Sequence, residues 1–271
     1  MNNRFVFVSG AAGGIGKVTS EYLADSGFNV FAADMNKEIF NIFFSENIIP
    51  LQVDITDKSS IKRALMQVQS NTNQLCGLIN IAGIFDQFPL VEAFHDAFEK
   101  LIRTNLTGHQ LITNTLFPLL YQGHGRVINM SSETVMAQMP LQSYAFSKKL
   151  FDGWNTQLRM ELNLLNMKVI AIRAGGHVTP FIDMSTKVIG EIDEKSLYKN
   201  LMGQIKIRGQ HILKKTKADP IDIASKIYHA LTASNPKSIY NVNVSLLFRI
   251  LAMIPSGIRE SMINLQLKKW M

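Results

Sequence analysis

Two kinds of hydrophobic pattern alternate along the chain. Short, nearly continuous apolar runs occur at residues 4–9, 28–33, 48–53, 75–81, 125–130 and 168–173. They read as buried strands. Between them lie longer stretches with apolar residues three or four apart, the helical period. These predict helices up to about residue 26, over 58–70, over 92–120 with a break near Asn105, and over 143–166. The last carries a strict i, i+4 stripe of Phe146, Leu150, Trp154, Leu158 and Leu162. A further helix is expected from Asp219-Pro220 to about Ala233, and a last strand over 239–242. Strands alternating with helices predict an α/β fold: one doubly wound domain over residues 1–243, its parallel sheet covered by helices on both faces.

Two segments depart from this rhythm. Residues 182–218 are long and irregular, which suggests a substrate lid. Residues 244–271 form an apolar and basic tail, leucine-rich, with Arg249, Arg259, Lys268 and Lys269. It is expected to pack on the core, cover a neighbouring subunit, or lie on a membrane surface with its basic residues at the headgroups.

The first strand runs into Gly10-Ala-Ala-Gly13-Gly14-Ile15-Gly16, then a helix, then a second strand ending at Asp34. Strand, glycine turn, helix, strand and acid in that order form a dinucleotide-binding unit. Glycines let the backbone approach a pyrophosphate, and the helix N-terminus offers free N–H groups. Asp34 stands where a carboxylate accepts hydrogen bonds from ribose hydroxyls and repels a 2′-phosphate, so NAD is expected rather than NADP. In parallel sheets ligands bind at the C-terminal strand ends. Gly10, Asp34, Asp54, Asn80, Ser132 and Gly175 all fall there, which argues for a single site.

Tyr144 and Lys148 are four apart on the long helix and therefore share a face. A free phenol has a pKa of about 10. An ammonium one turn away is expected to lower it, so that the tyrosine can exchange a proton with a substrate oxygen.

Composition adds limits. The chain has 271 residues, 46% hydrophobic and 18% charged, enough for a sizeable core. A single cysteine, Cys76, rules out an internal disulfide framework. The six histidines show no metal-ligand spacing, so no metal is expected. The formal charge of +7 suggests nucleic acid, but the lysines form no basic groove interleaved with aromatics. The basic run over 195–217 reads as a solvated face, or as a device steering an acidic substrate. No apolar stretch reaches 18 residues and the first apolar run leads straight into the glycine turn, so a cytoplasmic protein is expected.

Together these residues resemble the short-chain dehydrogenase/reductase family over about residues 4–242. Ser9-Gly10-x-x-x-Gly14-Ile15-Gly16 is similar to the family's TGxxxGIG, with serine for threonine. Asn80-Ile81-Ala82-Gly83 resembles NNAG. Tyr144 and Lys148 match the active-site pair. Ala174-Gly175 stands at the family's Pro-Gly, followed by Thr179-Pro180.

The resemblance implies a Rossmann fold and a nicotinamide cofactor held by Gly10, Gly14, Ile15, Gly16, Asp34, Asp54, Ile55, Asn80, Ala82, Gly83, Tyr144, Lys148, Gly175 and Thr179. It implies an Asn105–Ser132–Tyr144–Lys148 tetrad. Tyr144 is then the acid/base, Lys148 binds the nicotinamide ribose, serine binds the substrate oxygen, and Asn105 holds a water in a proton relay. The Ser132-to-Tyr144 spacing is one residue shorter than the family's. Counting back from Tyr144 favours Ser131; counting forward from the strand favours Ser132, which is the reading adopted.

The tail resembles those of steroid- and retinoid-type members. The expected activity is hydride transfer between nicotinamide and a lipophilic secondary alcohol or ketone, in a homodimer or homotetramer built on the long helices. The alternatives are a 3-oxoacyl thioester reductase and a non-catalytic nicotinamide sensor or scaffold. Met136, Met139, Phe181 and Met184 are candidate pocket residues, and His177 either touches substrate or bonds its own turn.

Overall fold

A computed structural model describes residues 4–190, 193–214 and 218–270. Residues 191, 192 and 215–217 of the expected lid, and the last residue of the tail, lie outside the described residues. Seven parallel strands form one sheet in the order β3-β2-β1-β4-β5-β6-β7. They are β1 (Phe5–Ser9), β2 (Asn29–Asp34), β3 (Ile48–Gln52), β4 (Gly77–Asn80), β5 (Arg126–Ser132), β6 (Val169–Ala174) and β7 (Ile239–Val242). The strand order reverses between β1 and β4, and ligands bind at such a switch point.

Strand alternation explains the two cores. In β1, Val6 and Val8 face one side and Phe7 the other. The Val6 side is covered by α1 (Gly14–Asp25) and α9 (Ile221–Thr232), through Leu23, Ile223 and Ile227. The Phe7 side is covered by α3 (Lys58–Gln69), α5 (Gly108–Gln122) and α6 (Ser143–Asn163), through Ile61, Ile112 and Leu162. A short α2 (Ile39–Ile42) precedes β3.

The break expected near Asn105 is a π-helical turn, Arg103–Thr107, between α4 (His95–Ile102) and α5. Strand β5 runs two residues further than the apolar pattern suggested, so Ser131 and Ser132 are themselves strand residues.

The expected irregular lid contains two helices, α7 (Pro180–Gly190) and α8 (Lys199–Lys214). The tail forms α10 (Leu246–Met253) and α11 (Ser256–Lys268). The apolar side of α8 is completed by α11: Leu201 is buried with Ile263 and Leu267. Local periodicity cannot reveal a partner some sixty residues away in sequence, which is why this stretch looked unstructured. Among the described residues no helix is long and apolar enough to cross a membrane.

Candidate active site

The glycine turn after β1 is pressed against the end of β4. Gly10 has φ 75°, and a Cβ there would lie 2.6 Å from the Ala82 nitrogen. A Cβ on Gly14 would lie 2.8 Å from Cβ of Thr179, so glycine lets the N-terminus of α1 meet the turn after β6. No side chain caps that N-terminus. Its amides remain available for an anion.

At the end of β2, Asp34 accepts from the Ala12 and Asn36 amides, at 3.0 Å each. Asp54 accepts from the amide and hydroxyl of Thr56, both at 2.8 Å. Gly10, Gly14, Ile15, Gly16, Asp34, Asp54, Ile55, Ala82, Gly83, Gly175 and Thr179 all line one cavity of about 910 Å³. Free amides, a backbone cradle that a Cβ would fill and a carboxylate at the far strand end fit a dinucleotide.

Ser132, Tyr144 and Lys148 line the same cavity. The Ser132 hydroxyl faces the Tyr144 phenol closely enough to oppose the rise in its pKa. It also accepts from the Thr134 amide at 3.3 Å and from the Thr134 hydroxyl at 3.0 Å. Ser131, on the opposite face of β5, donates to Asp152 at 3.3 Å, and Asp152 pairs with Arg173 at 2.8 Å. The one-residue-short loop still brings Ser132 to Tyr144. It closes with Leu141 at φ 60°, the left-handed region, which disfavours a residue with a Cβ.

The expected lowering of the Tyr144 phenol by Lys148 is not observed. Burial raises the phenol above its ordinary value, and the opposing pull comes from the Ser132 hydroxyl. The Lys148 ammonium instead donates to the Met130 carbonyl at 3.0 Å and stands 5.9 Å from the Tyr144 ring centre. Burial pushes Lys148 itself down to about 8.

Asn105 does not line the cavity but lies beneath it, fully buried. Its side-chain oxygen accepts from the Ile84 amide, and its amide nitrogen donates to the Ile84 carbonyl and to Ser147, each at 2.9 Å. A Cβ on Gly83 would come within 3.2 Å of that oxygen.

Asn80 turns away from the cavity. It donates to Asn129 at 2.8 Å and to Thr113 at 3.3 Å, and Asn129 donates on to Asn155 at 2.8 Å. Asn80 thus ties β4 to β5 and to α5, and Asn129 ties β5 to α6.

His177 is buried and bonds its own turn through Nδ1, 2.9 Å from the Gly175 oxygen, while lining the cavity. Of the other candidates, Phe181 lines the cavity, and Met139 packs beside Leu201 instead. Among the described residues no group of three or more His, Cys, Asp or Glu is placed to hold a metal ion.

Three features had no sequence signal beyond composition. His109 sits behind the end of β4. Burial, with the Lys148 charge adding to it, pushes its imidazole down to about 3. It is therefore neutral and donates from Nε2 to the Ala82 carbonyl at 2.8 Å. Phe85 packs on Tyr144 with ring centres 5.1 Å apart, and Phe181 joins them, 5.7 Å from Tyr144 and 6.1 Å from Phe85. Glu133 and Phe248 also line the cavity.

The model of the short chain dehydrogenase family matches residues 4–188. The chain belongs to this family. It is a nicotinamide-dependent oxidoreductase of alcohols and ketones. Estradiol 17-beta-dehydrogenase 2 of Mus musculus is 29% identical over 89% of this chain and 68% of its own length. Retinol dehydrogenase 7 of Mus musculus is 26% identical over 97% of this chain and 88% of its own. Among solved structures, a 3-ketoacyl-(acyl-carrier-protein) reductase from Brucella melitensis complexed with NADH superposes with a TM-score of 0.73 at 17% identity. That match covers 89% of this chain and 96% of the other.

Proposed function

We propose that this dehydrogenase uses NAD to interconvert a lipophilic secondary alcohol and its ketone. The observation that carries the substrate class is the aromatic enclosure of Tyr144. Phe85 and Phe181 pack on the phenol ring and on each other, and Ile182 and Phe248 extend the apolar lining. A polar group set against these rings would lose its water without replacement. The names of the relatives, an estradiol dehydrogenase and a retinol dehydrogenase, support an apolar substrate.

In this reading the glycine turn and the α1 amides hold the pyrophosphate, Asp34 and Asp54 face the adenosine end, and Gly175 and Thr179 the nicotinamide end. When bound, the cofactor accepts or returns a hydride. Ser132 holds the substrate oxygen beside Tyr144, which takes or gives the proton at that oxygen. Lys148 binds the nicotinamide ribose. Asn105 fixes Ile84 at its amide and its carbonyl. NAD preference rests on Asp34, whose carboxylate repels a 2′-phosphate; a strong preference for NADPH would instead revive the 3-oxoacyl thioester reductase.

The decisive experiment measures NADH formation from NAD across hydroxysteroids, retinol, long-chain secondary alcohols and 3-hydroxyacyl thioesters. Turnover confined to the apolar alcohols is the expected result. NADH binding without turnover of any of them would favour the sensor.

The assembly we infer is a homodimer or homotetramer through α5 and α6, where Tyr121, Leu150 and Met160 are exposed. We place the protein in the cytoplasm, with contact to a membrane surface through α10. This apolar helix has no buried residue and carries Arg249. Sedimentation with anionic liposomes tests the contact: Leu247→Asp should abolish it, and unchanged sedimentation would reject it.

A further inference from the structure

A residue of the C-terminal tail lines the cavity. Phe248, on α10, lines the same space as Tyr144 and Phe181. We propose that this tail is a working part of the substrate site, with Phe248 setting how long an apolar substrate can be. The inference rests on the apolar-substrate reading of the site and adds the residue that limits it.

Since α10 has no buried residue of its own, its position depends on attachments at its ends and through α11. At its start, the Ser245 amide donates to Glu133 at 2.7 Å. Glu133 directly follows Ser132, so the helix is tied to the tip of the strand that carries the serine. Asn243, at φ 50°, donates to the Gly176 carbonyl at 2.8 Å. A Cβ on Gly175 would stand 2.0 Å from the Asn243 oxygen, so the chain entering α10 lies directly on the turn after β6. At its end, Arg259 donates to the Leu251 carbonyl at 3.2 Å.

Beyond α10, Ile263 and Leu267 of α11 are buried with Leu201 of α8, and Leu141 of the short serine–tyrosine loop packs against them. The Arg208 guanidinium lies 3.9 Å from the centre of the Trp270 ring, a further clasp between α8 and the tail. The tail thus joins both walls of the substrate side, the loop after Ser132 and α8. An apolar chain whose oxygen sits at Tyr144 extends between these walls toward Phe248.

The test is the affinity of the NADH complex for a homologous series of 2-alkanones, from six to fourteen carbons, measured by calorimetry. Affinity should rise about fourfold for each methylene that becomes buried, then level off where the chain meets Phe248. Phe248→Ala should move the plateau two or three carbons later, and Phe248→Trp should move it earlier. NADH affinity should stay constant in both, since the residue lies outside the cofactor cradle. A wild-type series that rises and levels, with the plateau at the same carbon in all three proteins, would overturn the role of Phe248 alone. A wild-type complex that binds NADH but no alkanone would overturn the apolar-substrate reading, and this proposal with it.

Discussion

The Ser132 hydroxyl is the group that pulls the Tyr144 phenol down against burial, across residues 133–143. Its neighbour Ser131 also lines the cavity but turns its hydroxyl to Asp152 on α6. Ser132→Ala should therefore lower turnover by about a hundredfold or more, the scale of a donor lost at a reacting oxygen. Ser131→Ala should leave turnover nearly unchanged and cost about 1.5–3 kcal/mol of stability, one neutral-to-charged hydrogen bond. Steady-state rates and thermal melts of the two variants separate the roles; the reverse result would make Ser131 the active serine.

Tyr144→Phe should reduce turnover by about 10³-fold or more while leaving NADH affinity unchanged, because it removes only the proton carrier. Burial raises the phenol, so it is protonated at neutral pH and ready to donate to a ketone. Alcohol oxidation needs the phenolate and should climb toward alkaline pH. The residual activity of Ser132→Ala should climb at a still higher pH, since the Ser132 hydroxyl is what opposes the rise. Profiles of kcat/KM against pH for the two proteins check this; coincident alkaline limbs would show that the phenol does not control them.

Lys148 holds a charge at a cost to the fold. Its ordinary value of 10.5 falls to about 8 on burial. Below pH 8 the ammonium is charged in both folded and unfolded chains, and its desolvation subtracts about 3 kcal/mol. The penalty fades as pH rises from 8 to 10.5, where the buried amine is neutral. Losing the bond to the Met130 carbonyl returns about 1–2 kcal/mol of this. Lys148→Met should then abolish turnover yet raise Tm by about 3–5 °C at pH 7, with a smaller gain at pH 10. Melting curves at the two pH values decide it, and a lower Tm at pH 7 would show that the ammonium is stabilised by its surroundings.

Asp34→Ala removes the carboxylate at the adenosine end of the cradle. Its bonds to the Ala12 and Asn36 amides are also lost, so NAD should bind more weakly. NADP should gain relative to NAD. The ratio of kcat/KM for the two cofactors measures this, and an unchanged ratio would move cofactor selection elsewhere.

Much of the cradle could be read directly from residues. Glycine after β1, acid after β2 and the Tyr144–Lys148 interval are local, because each depends on backbone freedom or on one helical turn. Asn80 was placed at the correct strand end, but the side of the strand it faces was not legible: both of its faces are buried, so no apolar–polar alternation marks a direction. The phenol of Tyr144 shows the same limit in energy. A four-residue spacing brings Lys148 near, but it is burial, not that charge, that sets the direction of the phenol's shift.

The alternation of apolar runs and amphipathic stretches by itself determined the parallel sheet and where its strands end, since strand and helix periods are properties of adjacent residues. Only the tertiary structure decided which serine faces Tyr144, that residues 180–190 and 199–214 fold as helices, and that Phe248 lines the cavity. Each of these depends on contacts between segments far apart in sequence: β5 with α6, α8 with α11, and Glu133 with Ser245. Such contacts leave no period in the chain, because the free energy that selects them arises only when the surfaces meet.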